Sequence, residues 1–262
     1  MSNAALHVAR TGLDAQNTKM RVIANNLANV NTTGFKRDRA DFETLAYQQM
    51  IAAGSASDSE NKYATGLSLG SGVALTGTSK IDTQGTLNQT GNALDIAIEG
   101  AGYFQLQKPD GTIAYSRAGN FSLTAEGTVV SSEGLPLIPQ IQIPEGATNV
   151  SIGNDGTVSA TIQGEAAATE VGKIETARFV NPAGLQSIGA NLLVETAASG
   201  TPQVGVPGLE GRGSVRSGSL EGSNVNVVEE LVDMIETQRA YEVNSKMIKA
   251  TDEMLQYVNQ QL

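Results

Sequence analysis

Apolar side chains recur at alternating intervals of three and four residues through the first thirty positions of the chain. The series has eight members, all but one of them apolar: Leu6, Ala9, Leu13, Gln16, Met20, Ile23, Leu27 and Val30. This spacing places the side chains on one face of a helix, as in the seam of a coiled coil. Asparagine, threonine and glycine follow at positions 29–34 and favour helix termination. The pattern therefore predicts a long amphipathic helix that ends before Gly34.

The end of the chain shows a second helical pattern. An apolar residue stands at every seventh position: Val227, Met234, Tyr241, Ile248, Leu255 and Leu262. Further apolar residues widen this face: Leu231, Ile235, Met247, Met254 and Val258. Asn226 and Glu229 are spaced as in a capping box, in which the Asn side chain accepts a backbone N–H. We predict a helix of about 35 residues here, roughly three times the usual length.

Between these ends the helical period is absent and short strand-like segments alternate with turn residues. The candidate strands are Leu94–Ile98, Tyr103–Gln107, Thr112–Arg117, Asn120–Leu123, Thr128–Val130, Val150–Ile152, Thr157–Ile162, Lys173–Val180 and Leu192–Glu195. Such short strands, separated by sequences such as Pro-Asp-Gly, favour an antiparallel sandwich or barrel. Two stretches of small, polar and glycine-rich sequence, 52–80 and 197–219, are predicted to be extended connectors.

These patterns together predict an α+β protein in which the two terminal helices pair as a coiled-coil layer and a mostly antiparallel β domain lies between them in sequence. We expect three domains. Residues 1–34 and 226–262 form a helical inner domain, residues 35–95 and 192–225 an extended connector domain, and residues 96–191 a β-rich outer domain.

Charge separates the two predicted helices. The chain carries a net charge of −10, which argues against nucleic acid as a partner. Residues 1–39 hold six basic and two acidic side chains, whereas residues 225–262 hold three basic and seven acidic ones. The two helices are therefore expected to attract each other, within one chain or between neighbouring copies. The alternative is that both pack on the central domain.

The sequence lacks the residue patterns of catalysis and cofactor binding. Cysteine is absent, and His7 is the single histidine, without a nucleophile motif beside it. No nucleotide-binding glycine motif is present. Asp110 and Asp155 stand in hairpin-turn sequences rather than in a calcium loop. We expect no enzyme activity, no cofactor, no metal site and no small-molecule substrate.

Three motifs resemble the signatures of flagellar axial proteins, the family of rod and hook subunits. The first runs through Leu13–Gln16 (LDAQ), Ile23–Lys36 (IANNLANVNTTGFK) and Arg39–Leu45 (RADFETL). The second, near the other end, comprises Ser223–Val232 (SNVNVVEELV) and Gln238–Lys246 (QRAYEVNSK). The third is central, Leu94–Gly100 (LDIAIEG) with Gly102-Tyr103-Phe104. Within the family, the length, the stretch 66–73 and the YQQM segment at 47–50 look most like the distal rod members, since hook subunits are generally longer.

The resemblance implies a structural subunit of a helical homopolymer that crosses the periplasm as a rigid drive shaft and transmits torque from motor to hook. It also implies other axial proteins (proximal rod and hook), the surrounding basal-body rings and the flagellar type III export apparatus as partners. No apolar stretch has the length of a membrane span, and no cleavable signal is visible, so export is expected to leave the N-terminus intact.

We expect the assembly interface to lie on the two helices and on the motif that follows the first. Its residues are Leu6, Leu13, Met20, Ile23, Asn25, Asn26, Leu27, Asn29, Val30, Gly34, Phe35, Val227, Leu231, Met234, Arg239, Tyr241, Ile248 and Leu255. Two alternatives remain open at this point. One is a proximal rod or hook-like protein, and the other, from a different class, is a soluble β-rich binding module with helical ends.

Overall fold

The computed structural model of the chain describes residues 2–55, 63–162 and 168–261. It is an α+β structure with a helix at each end and a β-rich region between them, as predicted. The chain divides into two compact units. The helical unit comprises Met1–Leu27, Asp38–Ser79 and Val227–Leu262, and the central unit comprises Ala28–Arg37 and Lys80–Asn226. The predicted three-domain division stays a prediction, and the observed units group residues 38–79 with the helices.

Both terminal helices are present with the lengths that the apolar periods predict. Helix α1 runs from Ser2 to Ala28 and ends directly before the asparagine and threonine cluster. Helix α2 spans 35 residues, Val227–Gln261, and begins directly after Asn226. The turn-favouring residues that flank the helices thus coincide with the observed ends.

Four strands belong to the helical unit. They are β1 (Asp38–Thr44), β2 (Gln48–Ile51), β3 (Leu67–Leu69) and β4 (Val73–Lys80). β1 pairs with β4, and β2 pairs antiparallel with β3 through Gln48↔Leu69 and Ile51↔Leu67. The connector predicted over 52–80 therefore contains two paired strands in its described part, whereas residues 56–62 lie outside the described residues.

The remaining strands and one short 3-10 helix, Pro182–Gly184, belong to the central unit. The strands are β5 (Leu87–Gln89), β6 (Ile96–Glu99), β7 (Tyr103–Gln107), β8 (Ile113–Ser116), β9 (Ser122–Leu123), β10 (Val129–Val130), β11 (Leu137–Ile138), β12 (Ala147–Ile152), β13 (Thr157–Ile162), β14 (Thr169–Lys173), β15 (Thr176–Arg178), β16 (Gln186–Gly189), β17 (Leu192–Val194), β18 (Gln203–Gly205), β19 (Ser214–Ser217) and β20 (Ser219–Glu221).

The largest sheet has seven strands in the order β16-β17-β8-β7-β15-β18, with β11 paired to β7. A three-stranded sheet, β12-β13-β14, and the ribbons β19-β6, β20-β5 and β10-β9 complete the central unit. Its pairings of known register are antiparallel, as the turn spacing predicts.

Several predicted strands differ from the observed ones by a few residues at their ends, and two further predicted segments differ by more than that. The segment Lys173–Val180 splits because Ile174 leaves the ladder, donates its N–H to Gly156 O at 2.7 Å and is buried in the core. The connector predicted over 197–219 contains β18 and β19, which pair with β15 and β6. Its polar, glycine-rich sequence hides these strands because their partners are distant in sequence, and a local pattern carries no signal for such pairing.

The alternation of side chains along β7 produces a core on both faces of the largest sheet. Phe104 and Leu106 point into one cluster, which also contains Ile96, Leu137 and further residues of the smaller sheets. Tyr103 points to the opposite face, where it packs with Tyr115, Phe179, Leu185 and Leu193. A strand covered on both faces has no exposed side, and four of the five β7 residues are accordingly buried.

Candidate assembly surfaces

The two helices meet at two points within the helical unit. Asn26 on α1 donates its amide to both carboxylate oxygens of Glu230 on α2, each at 3.3 Å. A Cβ added at Gly12 on α1 would lie 3.1 Å from Nδ2 of Asn244 on α2. The two contacts are fourteen residues apart on each helix. From the first contact to the second, the residue number falls from 26 to 12 on α1 and rises from 230 to 244 on α2. The helices therefore run antiparallel at these contacts, and Gly12 allows their backbones to approach closely.

Both α2 residues at these contacts are polar. They belong to a row of polar residues at every seventh position, namely Glu230, Thr237, Asn244 and Thr251, which we term the polar row. Glu230 and Thr237 are each only 1% exposed, and Asn244 and Thr251 are half-buried. Asn26, equally buried, also accepts from Asp38 N–H and donates to Asp38 O, each at 2.9 Å. Buried polar groups that satisfy one another specify register better than apolar contacts do.

Other positions of α2 carry apolar side chains that the rest of the chain leaves exposed. We term this set the apolar stripe: Val228, Leu231, Val232, Ile235, Val243, Met247, Met254 and Tyr257. Each of these side chains is between 43% and 69% exposed. Scattered exposed apolar residues are ordinary, but eight of them on one helix mark a surface that another molecule covers.

The predicted interface residues of α1 and its following motif occupy three environments. Ile23, Asn26, Gly34 and Phe35 are buried within the chain. Leu6, Leu13, Met20, Leu27, Asn29 and Val30 are half-buried, and Asn25 is exposed. The half-buried residues keep part of their apolar surface available for a further contact.

On α2 the predicted residues lie beside the polar row or on the outer surface. Met234 and Ile248 are half-buried, whereas Val227, Leu231, Arg239 and Tyr241 are exposed. The side chain of Leu255 lies outside the described residues. The structure thus brings Asn26 to the polar row, while it leaves Leu231 with the apolar stripe.

A second apolar surface of the helical unit lies where the start of α1 faces the β2–β3 hairpin. Ala4, Ala5 and Val8 line an open hollow of about 540 Å³ together with Met50 and Leu69. At its border His7 Nδ1 lies 3.3 Å from Ser71 O. The single histidine thus contacts a backbone carbonyl of the segment that follows β3.

The motif that follows α1 ends inside the central unit, at a point where three chain segments meet. These segments are 33–37, 81–86 and 221–224, and we refer to them together as the junction. Gly34 N–H donates to Glu221 O at 2.8 Å, and Gly222 N–H donates to Thr86 O at 2.8 Å. Asn224 accepts from Arg37 N–H at 2.7 Å and donates to Ile81 O at 2.8 Å. Each pair of segments is thus joined directly through backbone or side-chain hydrogen bonds.

Three buried charged side chains stand at the junction, and we term them the ion cluster: Lys36, Arg117 and Glu221. Lys36 Nζ lies 2.7 Å from Glu221 Oε1, and Arg117 Nε lies 2.8 Å from Glu221 Oε2. The exposed fraction of these side chains is 5%, 4% and 1%, respectively. Glu221 Oε1 also accepts Gly85 N–H at 3.0 Å. Both carboxylate oxygens therefore have donors, as a buried charge requires.

The opposite charges determine the protonation of this cluster. Burial by itself raises the pKa of Glu221, but Arg117 and Lys36 outweigh burial and hold that pKa below its ordinary value. Burial lowers the pKa of Lys36, and Glu221 opposes this shift. The Glu221 carboxylate consequently stays charged at neutral pH, although almost no solvent reaches it.

Sequence reasoning missed the ion cluster as a site. Lys36 stands within the quoted motif, but Arg117 and Glu221 are distant from it in sequence, and hydrophobic periodicity says nothing about buried charges. The usable signal was the pair Gly34 and Lys36. Gly34 has φ +67°, and an added Cβ would lie 2.6 Å from the Arg117 carbonyl carbon, so this motif glycine allows a close backbone approach.

Two searches of the described residues complete the description of the surfaces. Within residues 2–55, 63–162 and 168–261, no helix is both long enough and apolar enough to cross a membrane. In the same part of the chain, no group of three or more histidine, aspartate or glutamate side chains is placed to hold a metal ion.

Comparison with protein-family models gives three matches that follow one another along the chain. Residues 6–36 match the model described as flagella basal body rod protein. Residues 97–160 match the flagellar hook protein FlgE/F/G D1 domain, and residues 216–261 match the flagellar basal body rod FlgEFG protein C-terminal model. The three matches cover α1 with its motif, the first part of the central unit, and α2 with β20.

Comparison with individual proteins gives relatives that match along nearly their whole length. The flagellar basal-body rod protein FlgG of Buchnera aphidicola subsp. Schizaphis graminum is 52% identical over 98% of either chain. The protein of the same name from Agrobacterium fabrum is 46% identical over 98% of this chain and 99% of the relative. The flagellar basal-body rod protein FlgF of Caulobacter vibrioides is 35% identical over 93% of this chain.

Proposed function

The chain belongs to the family of flagellar basal-body rod proteins, and from this membership we propose that it is the structural subunit of the distal rod. In this role it assembles helically into the rigid shaft that crosses the periplasm and transmits torque from the motor to the hook. The observation that carries the proposal is the apolar stripe of α2, which one chain leaves uncovered along the length of the helix.

Two alternatives within the family receive less support. A proximal rod subunit would be expected to resemble relatives of another name more closely, but identity is 52% and 46% to the two FlgG proteins and 35% to the FlgF protein. A hook-like subunit would be expected to be longer, whereas the FlgG relatives match over 98% and 99% of their own length.

A soluble β-rich binding module, the candidate from another class, fits the helical surfaces poorly. Such a module keeps its termini ordered as a monomer and therefore covers the apolar side of its helices with its own chain. Here the polar row turns inward and the apolar stripe turns outward. The enzyme class has no support either, because the matching family models and relatives are described as flagellar rod or hook proteins.

The stripe suggests how copies assemble. In an isolated chain the two helices have little apolar contact to offset the entropy of ordering them. When a neighbouring copy covers the stripe, the buried apolar area stabilises both helices, so we propose that the ends become fully ordered on assembly. A contact between different surfaces of two copies, repeated without closing a ring, gives an open helical polymer.

In the proposed assembly the helices of all copies form a coiled-coil layer in which the predicted residues of α1 and α2 contact neighbouring copies. The partners are further copies of this chain, the proximal rod and hook proteins, the basal-body rings and the flagellar type III export apparatus. Its location is the flagellar basal body, which we propose that it reaches by export.

Val232→Asp tests the stripe. Val232 is 51% exposed in one chain, so an aspartate there leaves the fold of the monomer intact. In the rod it places a charge in an apolar contact at a cost of several kcal/mol, and we expect no rod and no swimming. The measurements are circular dichroism of the purified chain and the count of rods in basal bodies from cells in which this chain is the sole copy.

Val232→Leu is the matched control. It keeps an apolar side chain at the same exposed position of α2 and introduces no charge. We expect this variant to form rods and to swim. Assembly of the Val232→Asp variant in normal numbers would contradict the assignment of the stripe, and loss of both variants would show that the effect does not come from the charge.

A further inference from the structure

The chain passes between the helical and central units at four places. These are the peptide bonds after Leu27, Arg37, Ser79 and Asn226. Along the covalent chain, torque that acts on the helices of a rod subunit passes to its central unit through these four connections. Three of these connections lead directly into the junction. On the side of the central unit they end or begin at Arg37, Lys80 and Asn226.

Hydrogen bonds hold the entering segments to one another within the first few residues. Ile81 N–H donates to Arg37 O at 2.9 Å, and Arg37 N–H donates to Asn224 Oδ1 at 2.7 Å. The Asn224 amide group also donates to Thr83 O at 3.1 Å. The three segments therefore cannot move independently of one another.

The ion cluster then attaches the junction to the sheets of the central unit. Glu221 ends β20 and carries both cationic partners. Arg117 extends the attachment through its Nη1 donors to Gly100 O at 2.8 Å and Gly102 O at 2.6 Å, and through Nη2 to Ile98 O at 3.2 Å. These carbonyls lie at the end of β6 and just before β7. Lys36 completes the cluster by donating to Thr83 O at 2.7 Å.

We propose that the ion cluster is a rigid joint, which fixes the direction in which the chain enters the central unit so that the subunit transmits torque without bending there. Apolar contacts are non-directional and can slide, whereas a carboxylate held by two cations and a backbone N–H accepts one geometry. This inference rests on the proposed function of the chain as a rod subunit. It adds that Lys36, Arg117 and Glu221 set the stiffness of each subunit.

The test is Glu221→Gln in the full-length chain, with two measurements. The first is hydrogen exchange of the purified monomer at the amides of Gly34, Gly85 and Gly222. We expect exchange to accelerate roughly ten- to hundredfold there, the effect of losing one hydrogen bond to a charged group, with the amides of β7 unchanged.

The second measurement is swimming speed in dilute and in viscous medium, for cells in which the variant is the sole copy. We expect near-normal speed in dilute medium and a steeper loss than wild type in viscous medium.

Lys108→Met is the matched control. It removes an ion pair from the same unit, but Lys108 and Asp110, 3.1 Å apart, lie at the surface. We expect wild-type exchange at the junction and wild-type dependence of speed on viscosity. Wild-type protein must restore swimming to cells that lack their own copy, and failure of that step alone would contradict the proposed function rather than the joint.

Three results would overturn the joint. One is accelerated exchange in Glu221→Gln without a steeper loss of speed under load. Another is unchanged exchange. The third is absence of rods from isolated basal bodies, which would assign the cluster to assembly.

A second variant, Lys36→Met, is measured in the same way if Glu221→Gln does not fold. It retains the pair of Arg117 and Glu221. Failure of both to fold would assign the cluster to folding alone.

Discussion

Gly34 combines two constraints that are usually separate. Its φ of +67° is a conformation that side chains with a Cβ rarely adopt, and its Cα lies against the backbone of Arg117. The close approach allows Gly34 N–H to reach Glu221 O and brings Lys36, two residues later, to the Glu221 carboxylate. One glycine in the motif after α1 therefore determines whether the ion cluster can form.

Gly34→Ala should destabilise the central unit more than its backbone conformation alone would predict. The positive φ costs about 1–3 kcal/mol, and the clash of the new Cβ with the Arg117 carbonyl carbon adds to this cost. Denaturant unfolding, followed by the far-ultraviolet signal of the β strands, measures the loss of stability.

Gly111→Ala is the control for this prediction. Gly111 has φ +80°, but a Cβ there meets open space, so the variant shows the cost of the conformation without the clash. An equal loss of stability in the two variants would mean that the approach to Arg117 is not a constraint.

At the scale of the element, α2 offers different residues to two kinds of partner. Glu230 of the polar row contacts α1 of the same chain, and the apolar stripe is exposed. Polar groups require a partner of defined geometry, which the chain itself supplies, while apolar side chains accept a copy that arrives later. The arrangement assigns register and assembly to different residues of one helix.

Asn26→Leu tests the register role of the polar row. The change removes the amide that donates to the buried Glu230 carboxylate and pairs with the backbone of Asp38, and the loss of such buried hydrogen bonds costs about 1–3 kcal/mol. We expect fewer rods per cell and slower spreading in soft agar, measured with the variant as the sole copy.

Asn17→Leu serves as the comparison, since Asn17 is exposed on α1. We expect it to behave as wild type, because it introduces the same side chain away from the polar row. Normal assembly of the Asn26→Leu variant would show that apolar contacts alone set the register.

At the scale of the whole molecule, the two units are stabilised in different ways. The central unit has apolar clusters on both faces of its largest sheet, with side chains such as Phe104 and Ala177 fully buried. The helical unit has few fully buried apolar residues in its described part, among them Ala9 and Ile23. Its stability in the monomer is expected to be correspondingly low.

Limited proteolysis of the purified monomer should therefore cut the helical unit first. We expect cleavage within residues 1–27, 38–79 and 227–262, and a resistant core made of two pieces, 28–37 and 80–226. The short piece should remain bound because the junction and Lys36 hold it to the long one. Mass spectrometry of the core after size-exclusion chromatography identifies both pieces. Protection of both helices in a verified monomer would contradict folding of the ends on assembly.

The sequence by itself determined the two helices, the β-rich middle and the family. Helix periods and turn residues are local, so α1 and α2 could be predicted with their ends, and β7 and β13 with their bounds. The motifs also indicated the rod family, which the comparisons confirm. The predicted assembly residues stay a prediction, because one chain has no neighbouring copy to contact.

Only the tertiary structure decided which surfaces the chain covers itself. The apolar period predicted a seam on α2, which stays a prediction, whereas the fold buries Glu230 of the polar row against Asn26 from the opposite end of the sequence. The strands in the glycine-rich connectors depend on distant backbone partners, and the ion cluster joins residues 36, 117 and 221. A local pattern shows that a residue needs a partner, and only the fold determines which partner it meets.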